Sequence, residues 1–306
     1  MSFDRDDIEA RVTAHGRATR ILVVEARGSA PREPGTSMLV WPDRLHGTIG
    51  GGALEHDAIA RARSGRTGIT RHALGPDLGQ CCGGSVTLHA AAWDAEAIAA
   101  TRAEAGLIVY GRGPRPAAIA KLIARAEAGR PVPLQIFGDW VVEPLAPDPA
   151  PVWIWGAGHV GQALASVLAP LPNVAPVVID TAPDRFPDAL PQGAARLVAA
   201  EPARLATHAP EEAHHLIATY SHEIDLALCD ALLRRPVGSI GLIGSATKWA
   251  RFRSRLRALG HTDAQISSIR CPIGDPSLGK HPQAIAVGVA ADLLRSGARV
   301  DERRAG

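Results

Sequence analysis

A glycine-spaced turn carries the clearest chemical signal in this sequence. Gly156, Gly158 and Gly161 occupy the glycine positions of a G-x-G-x-x-G pattern, which follows the apolar run 152–155 and precedes a helical segment. In such a turn the glycines permit a tight bend, a close approach of phosphate and close packing of helix on strand. The helix N-terminus adds unbonded N–H groups and a positive dipole end. The pattern therefore predicts a phosphate or nucleotide site, and the alternative is a purely structural turn.

The residues around this turn leave two classes of ligand open. Asp180 ends a second apolar run, at the position where dinucleotide-binding proteins bond the ribose 2′-hydroxyl. One hypothesis is therefore an NAD-dependent oxidoreductase, and another is a nucleotide-sensing regulator. No acid–base pair in the sequence identifies itself as the centre of a hydride transfer. His159 occupies a position that is usually apolar in dehydrogenases, so we expect it to reach a ligand or a partner.

Two further loops bring polar groups to the ends of predicted strands. In a doubly wound sheet, ligands bind at the carboxyl ends of the strands, so these loops are expected to face the glycine turn. Ser221 is equally suited to cap the helix that follows it. The candidate ligand-binding residues of the two loops are Ser221, His222, Gly244, Ser245 and Lys248.

Adjacent cysteines form the second candidate centre. Cys81 and Cys82 precede two glycines, and a thiolate among backbone N–H groups can be a ligand for a soft metal. The two cysteines lack the C-x-x-C spacing of zinc sites, and buried packing is the alternative. Leucines around Cys229 predict a structural role for that residue, whereas the role of Cys271, in a loop by composition, stays open.

Two loops in the first half of the chain could also hold an anion. Arg32 lies in a loop rich in glycine and proline, where its guanidinium could bind a phosphate or carboxylate in bidentate fashion. The alternative is a solvated charge. The triple glycine 50–52 opens a predicted helix and predicts either an anion cradle or a tight turn.

The bulk properties exclude several partners. The chain of 306 residues carries 33 Lys and Arg against 31 Asp and Glu, a net charge of +2, which gives no general attraction to nucleic acid or to an anionic membrane. The charged start lacks the apolar stretch of a signal peptide, and no run reaches the roughly 18 apolar residues of a spanning helix. Four cysteines fit a reducing compartment, so we expect a cytoplasmic protein.

A proline-rich segment predicts the domain boundary. Four prolines occur between 144 and 151, which predicts domains at 1–145 and 152–306 joined by a linker at 146–151. The second domain alternates strands and helices, which predicts an α/β, Rossmann-like, doubly wound parallel sheet. The first domain mixes strands and helices in an α+β order. Within it, the sequence predicts a helix over 95–104.

Six segments, in the same order, resemble the XdhC/CoxI family over nearly the whole chain. They are 28–35, 47–55, 82–84, 155–161, 241–245 and 271–274. The resemblance implies an N-terminal XdhC/CoxI domain and a C-terminal Rossmann domain. It also implies a chaperone, not an enzyme, that binds Mo-molybdopterin as cargo while a cysteine desulfurase replaces an oxo ligand by sulfur. The cofactor would then pass to the molybdenum-binding subunit of apo-xanthine dehydrogenase.

The family pattern also suggests how the ligand is shared among the candidate residues. Many relatives have cysteine after the triple glycine, where this sequence has Ala53. Cys81 and Cys82 are therefore the better candidates for the metal. The glycine turn suits the phosphate of molybdopterin, and the strand-end loops suit its polar edges. The resemblance makes a homodimer an expectation as well.

Overall fold

The computed structural model describes residues 5–75, 83–146 and 148–305. The chain divides into two compact units, Met1–Ala146 and Pro147–Gly306, each described below by itself. Within the described ranges no helix is long and apolar enough to cross a lipid bilayer. The expected mixed α/β class, with a Rossmann sheet in the second half, is confirmed.

The first unit contains two antiparallel sheets. The elements are α1 (Arg5–His15), β1 (Ala18–Arg27), β2 (Ser37–Val40), β3 (Leu45–Gly47), α2 (Gly52–Arg63), β4 (Gly68–Ala73), β5 (Ser85–Trp93), α3 (Ala95–Ala100), β6 (Arg102–Glu104), β7 (Leu107–Tyr110), α4 (Ala117–Glu127), β8 (Gln135–Phe137) and β9 (Trp140–Pro144). One sheet has the strand order β3-β2-β1-β5-β4 and the other has the order β6-β7-β9-β8. The helix predicted over 95–104 is too long, because Arg102–Glu104 pairs with β7 as an edge strand.

The second unit is built on six parallel strands. The elements are β10 (Ala150–Trp155), α5 (His159–Leu168), β11 (Val174–Asp180), β12 (Ala195–Val198), α6 (Pro202–Ala206), β13 (His214–Ile217), α7 (His222–Leu233), β14 (Ser239–Leu242), α8 (Ala246–Ala258), α9 (Asp263–Ser267), β15 (Ile269–Arg270) and α10 (Pro282–Ala305). The strand order is β12-β11-β10-β13-β14-β15. Successive strands are added on one side of β10 and then on its other side, as in dinucleotide-binding folds.

The predicted linker is shorter than the proline pattern suggested. Ala150 and Pro151, assigned above to the linker, are the first residues of β10 and pair with Val174 and Ala175. A proline at the start of a strand loses only one ladder hydrogen bond, so the sheet tolerates it.

Apolar layers cover both faces of the parallel sheet. Ile154 and Val178 pack towards one side with Leu164 of α5, whereas Trp155 and Ile179 pack towards the other with Leu228 of α7. Strands covered on both faces are apolar almost without interruption, which explains the sequence of β10 and β11.

A buried ion pair lies between the two sheets of the first unit. Arg20 of β1 donates two hydrogen bonds to Glu143 of β9, at 2.5 and 2.9 Å, and Tyr110 donates to the same carboxylate at 2.6 Å. Arg20 is 1% and Glu143 2% exposed. Because charges removed from water need close partners, this network fixes how β1, β7 and β9 are placed.

We expect Glu143→Ala to lower the free energy of unfolding by about 3–5 kcal/mol, because it leaves the Arg20 guanidinium buried without its carboxylate. Denaturant unfolding of the full chain measures this. Glu104→Ala is the matched control, since its pair with Arg115 is partly exposed and contributes below about 1 kcal/mol. Equal losses in the two variants would contradict a special role for the buried pair.

Candidate functional site

The glycine turn joins β10 to α5 by close backbone packing. Gly156 has a φ of +114°, and a Cβ there would overlap the carbonyl of Ala218 after β13. A Cβ at Gly161 would overlap the carbonyl oxygen of Gly156. Gly158, by contrast, has ordinary φ and open space around its Cα, and is the N-cap of α5. Two of the three glycines are therefore required by packing, and the middle one leaves room above the helix N-terminus.

Asp180 holds this turn against the neighbouring strand. Its Oδ2 accepts a hydrogen bond from the Ala157 N–H at 2.8 Å, and its Oδ1 accepts one from Thr181 N–H at 2.7 Å. The residue is only 7% exposed. The carboxylate therefore positions the turn, in addition to any contact with a ligand.

A cleft of about 570 Å³ opens over the turn. Four of the predicted site residues line it together, namely Gly156, Gly158, His159 and Asp180. His159 is exposed, and its contact with a ligand or a partner stays a prediction. Gly161 does not line the cleft, since it packs beneath the turn. The cleft lies at the carboxyl end of the central strand, where ligands bind in open α/β sheets.

Two further residues that line the cleft were not predicted from the sequence. The guanidinium carbon of Arg185 lies 3.6 Å from the centroid of the Tyr220 ring, and both residues line the cleft. Arg185 Nε is 3.7 Å from Asp180 Oδ1. A cation on an exposed aromatic face provides a flat, positive wall beside the helix N-terminus. An arginine shortly after the acidic residue of β11 was the available signal, because arginine there accommodates phosphate in some dinucleotide folds.

The remaining strand-end residues are engaged inside the protein. Ser221 Oγ accepts hydrogen bonds from Glu223 and Ile224 N–H as the cap of α7, and Ser245 Oγ accepts from Lys248 N–H as the cap of α8. The Lys248 ammonium donates to Asp225 at 2.5 Å and to the Ile243 carbonyl at 2.8 Å.

His222 differs from these because it is exposed, with its ring edge-on to Phe252. Gly244 is close to Cys271, whose Sγ is 3.8 Å from the Gly244 carbonyl oxygen. Ligand binding by Ser221, His222, Gly244, Ser245 and Lys248 stays a prediction.

The thiols of the second unit are not activated. Cys229 is fully buried in the core, and burial raises the pKa of its thiol. Burial also raises the pKa of the half-buried Cys271. The predicted metal ligands Cys81 and Cys82 lie outside the described residues. Within the described ranges no group of three or more His, Cys, Asp or Glu side chains is placed to hold a metal ion.

The triple glycine of the first unit holds an anion from its own chain. Glu55 Oε2 accepts hydrogen bonds from Thr48 Oγ1 at 2.6 Å and from the N–H groups of Ile49 and Gly51. Burial opposes the ionised form, but these hydrogen bonds outweigh it and lower the pKa of Glu55. Arg32 is exposed beside this turn, near Gly50. Its binding of a ligand stays a prediction.

The strand order and the glycine turn define a protein whose second half is a Rossmann-type domain. Comparison with known proteins agrees. Residues 152–293 match the model of the XdhC Rossmann domain, and residues 12–72 match the model of the XdhC and CoxI family. The chain therefore belongs to the XdhC and CoxI family.

Two individual proteins are similar over most of the chain. An uncharacterized protein, YqeB of Escherichia coli strain K12, is 26% identical over 288 residues, which are 89% of this chain and 42% of that protein. The chain thus spans less than half the length of this curated relative. A crystal structure described as a xanthine dehydrogenase from Bacillus halodurans has a TM-score of 0.74 at 17% identity. It covers 96% of this chain and 95% of its own, which shows the shared fold.

The two packing environments in the turn predict opposite outcomes for alanine substitutions. Gly161→Ala should lower the free energy of unfolding by about 2 kcal/mol or more, because its Cβ overlaps the Gly156 carbonyl. Gly158→Ala should unfold like the wild type, because nothing lies within 4 Å of its added Cβ. Thermal and denaturant unfolding of both variants test this. A Gly158→Ala protein that is as unstable as Gly161→Ala would contradict the packing described here.

Proposed function

We propose that this protein is a molybdenum-cofactor chaperone. It binds Mo-molybdopterin as cargo, holds it while a cysteine desulfurase exchanges one molybdenum oxo ligand for sulfur, and delivers it to apo-xanthine dehydrogenase. Membership of the XdhC and CoxI family supports an accessory role in maturation. The Bacillus halodurans structure that shares this fold is described as a xanthine dehydrogenase.

The cleft over the glycine turn is the observation that carries this proposal. Molybdopterin has a phosphate at one end and a pterin with many donors and acceptors. The N–H groups of Gly158 and His159 at the start of α5 suit the phosphate. Arg185 and Tyr220 present a flat cationic and aromatic surface to the ring system. A cleft of about 570 Å³ is within the size range of cofactor sites.

The proposal assigns the metal end of the cofactor to Cys81 and Cys82. Thiolates are suited to molybdenum or to a persulfide sulfur in transit. The partners are then the desulfurase and the molybdenum-binding subunit of xanthine dehydrogenase, with the chaperone acting as a homodimer in the cytoplasm. The competing function is an NAD-dependent oxidoreductase, in which Asp180 would bond the ribose.

Separate titrations of the full chain with Mo-molybdopterin and with NAD distinguish these functions. We expect saturable, micromolar binding of the molybdenum cofactor and no response to NAD. Gly158→Ala should weaken cofactor binding about tenfold or more, because its methyl group occupies the space above the helix N-terminus. Arg204→Ala, on an exposed side chain of the same unit outside the cleft, is the matched control. NAD binding without cofactor binding would overturn the chaperone function.

The double variant Cys81→Ala and Cys82→Ala tests the metal assignment. We expect it to retain the phosphate-dependent part of cofactor binding but to yield cofactor that fails to activate apo-xanthine dehydrogenase, because the soft ligands are gone. Reconstituted enzyme activity and the sulfur content of the bound cofactor are the measurements. Cys229→Ala is the control for a buried cysteine without this role. Unchanged cofactor binding and sulfuration in the double variant would remove the assignment.

A further inference from the structure

The loop between β13 and α7 forms part of the wall of the cleft over the glycine turn. Three of its residues, Ala218, Thr219 and Tyr220, line the cleft. The Tyr220 ring stacks on Arg185, and its hydroxyl is 3.4 Å from Thr181 Oγ1, yet 58% of the residue is exposed. Because most of the ring is not packed inside the protein, its orientation depends largely on the backbone of this loop.

A buried carboxylate holds that backbone. Asp225 of α7 is 1% exposed, and its Oδ1 accepts hydrogen bonds from the Thr219 N–H at 3.2 Å and from the Thr219 hydroxyl at 2.6 Å. The Thr219 hydroxyl oxygen in turn accepts a hydrogen bond from the Ser221 N–H at 3.2 Å. The residues on both sides of Tyr220 are therefore connected to one carboxylate, directly on one side and through the Thr219 hydroxyl on the other.

Lys248 of α8 allows this carboxylate to be buried. Its ammonium donates to Asp225 Oδ2 at 2.5 Å and to the Ile243 carbonyl at 2.8 Å, and only 12% of its side chain is exposed. Among the described residues no other cation pairs with Asp225. Removing the cation leaves an uncompensated buried charge, which water or a proton must then neutralise. Either change weakens the hydrogen bonds from Asp225 to Thr219.

We propose that Lys248 is a positioning residue for the ligand in this cleft. It acts through Asp225, which holds the loop that carries Tyr220, and its own ammonium does not contact the ligand. The identity of the ligand rests on the proposed function, whereas the positioning of the cleft wall does not. The alternative is an ion pair that only joins α7 to α8, which would stabilise the fold without setting the orientation of Tyr220.

Thr219→Val distinguishes these roles, because it removes the hydroxyl between Asp225 and the loop and leaves the Lys248–Asp225 pair in place. NMR of the ligand-free full chain follows the side-chain protons of Arg185, which the ring current of the facing Tyr220 shifts upfield. Tyr220→Ala gives the value without the ring. We expect Thr219→Val and Lys248→Met both to move the Arg185 resonances towards that value.

Asp230→Asn is the matched control. Asp230 is on the same helix and also forms ion pairs, with Arg234 and His261, but it does not line the cleft. The control should leave both the Arg185 resonances and the affinity for Mo-molybdopterin unchanged. Lys248→Met should weaken Mo-molybdopterin binding about tenfold, and Lys248→Arg, which keeps the cation, should restore part of the affinity.

Unchanged Arg185 resonances in Thr219→Val, or in a folded Lys248→Met protein, overturn the proposal. Thr219→Val keeps the test decisive if Lys248→Met impairs folding. Weakened Mo-molybdopterin binding in Lys248→Met without a shift of Arg185 also overturns it, because the ammonium would then contact the ligand itself. A wild-type chain that binds no Mo-molybdopterin would contradict the proposed function instead, and the resonances measured without ligand would still decide whether Lys248 holds the cleft wall.

Discussion

The hydrogen bond from the Ala157 N–H to the Asp180 carboxylate determines the geometry on which the candidate site depends. It joins the turn after β10 to the end of β11, the strand beside it in the sheet. The turn is further confined by Gly156 against Ala218 and by Gly161 against Gly156. Because three separate contacts fix one short segment, the N-terminus of α5 is presented to the cleft in a single orientation. Preorganised N–H groups bind an anion without first losing conformational freedom.

In the first unit, a buried ion pair fixes the arrangement of the two sheets. The Arg20–Glu143 pair, with Tyr110, connects two separate antiparallel sheets. A buried ion pair contributes little net stability over an apolar pair, but its geometry is demanding. It therefore specifies how the sheets are arranged more than it strengthens them.

The sequence was most informative where a local pattern has one structural solution. The apolar runs of β10 and β11, the glycine turn and the capping serines all follow from chain-local rules, and Gly156, Gly158, His159 and Asp180 were predicted from those rules to share a site. Residues whose partner is distant in sequence were not predictable in this way. Tyr220 stacks on Arg185 only because β11 and β13 lie on either side of β10. Short edge strands such as β6 were missed because three residues carry too weak a periodic pattern.

Several groups that could bind a ligand already form hydrogen bonds within the chain. Only groups without such partners are strong candidates for ligand binding. The turn at the triple glycine could cradle an anion, yet the Ile49 and Gly51 N–H groups donate to Glu55 and the Gly50 N–H donates to Thr48 Oγ1. The ammonium of Lys248 is at the end of a strand, yet Asp225 and the Ile243 carbonyl use it. The start of α5, by contrast, lacks a side-chain cap and borders the cleft. Since buried or pre-aligned polar groups are costly to leave unpaired, the unsatisfied groups indicate ligand sites more strongly than residue type or position in a motif does.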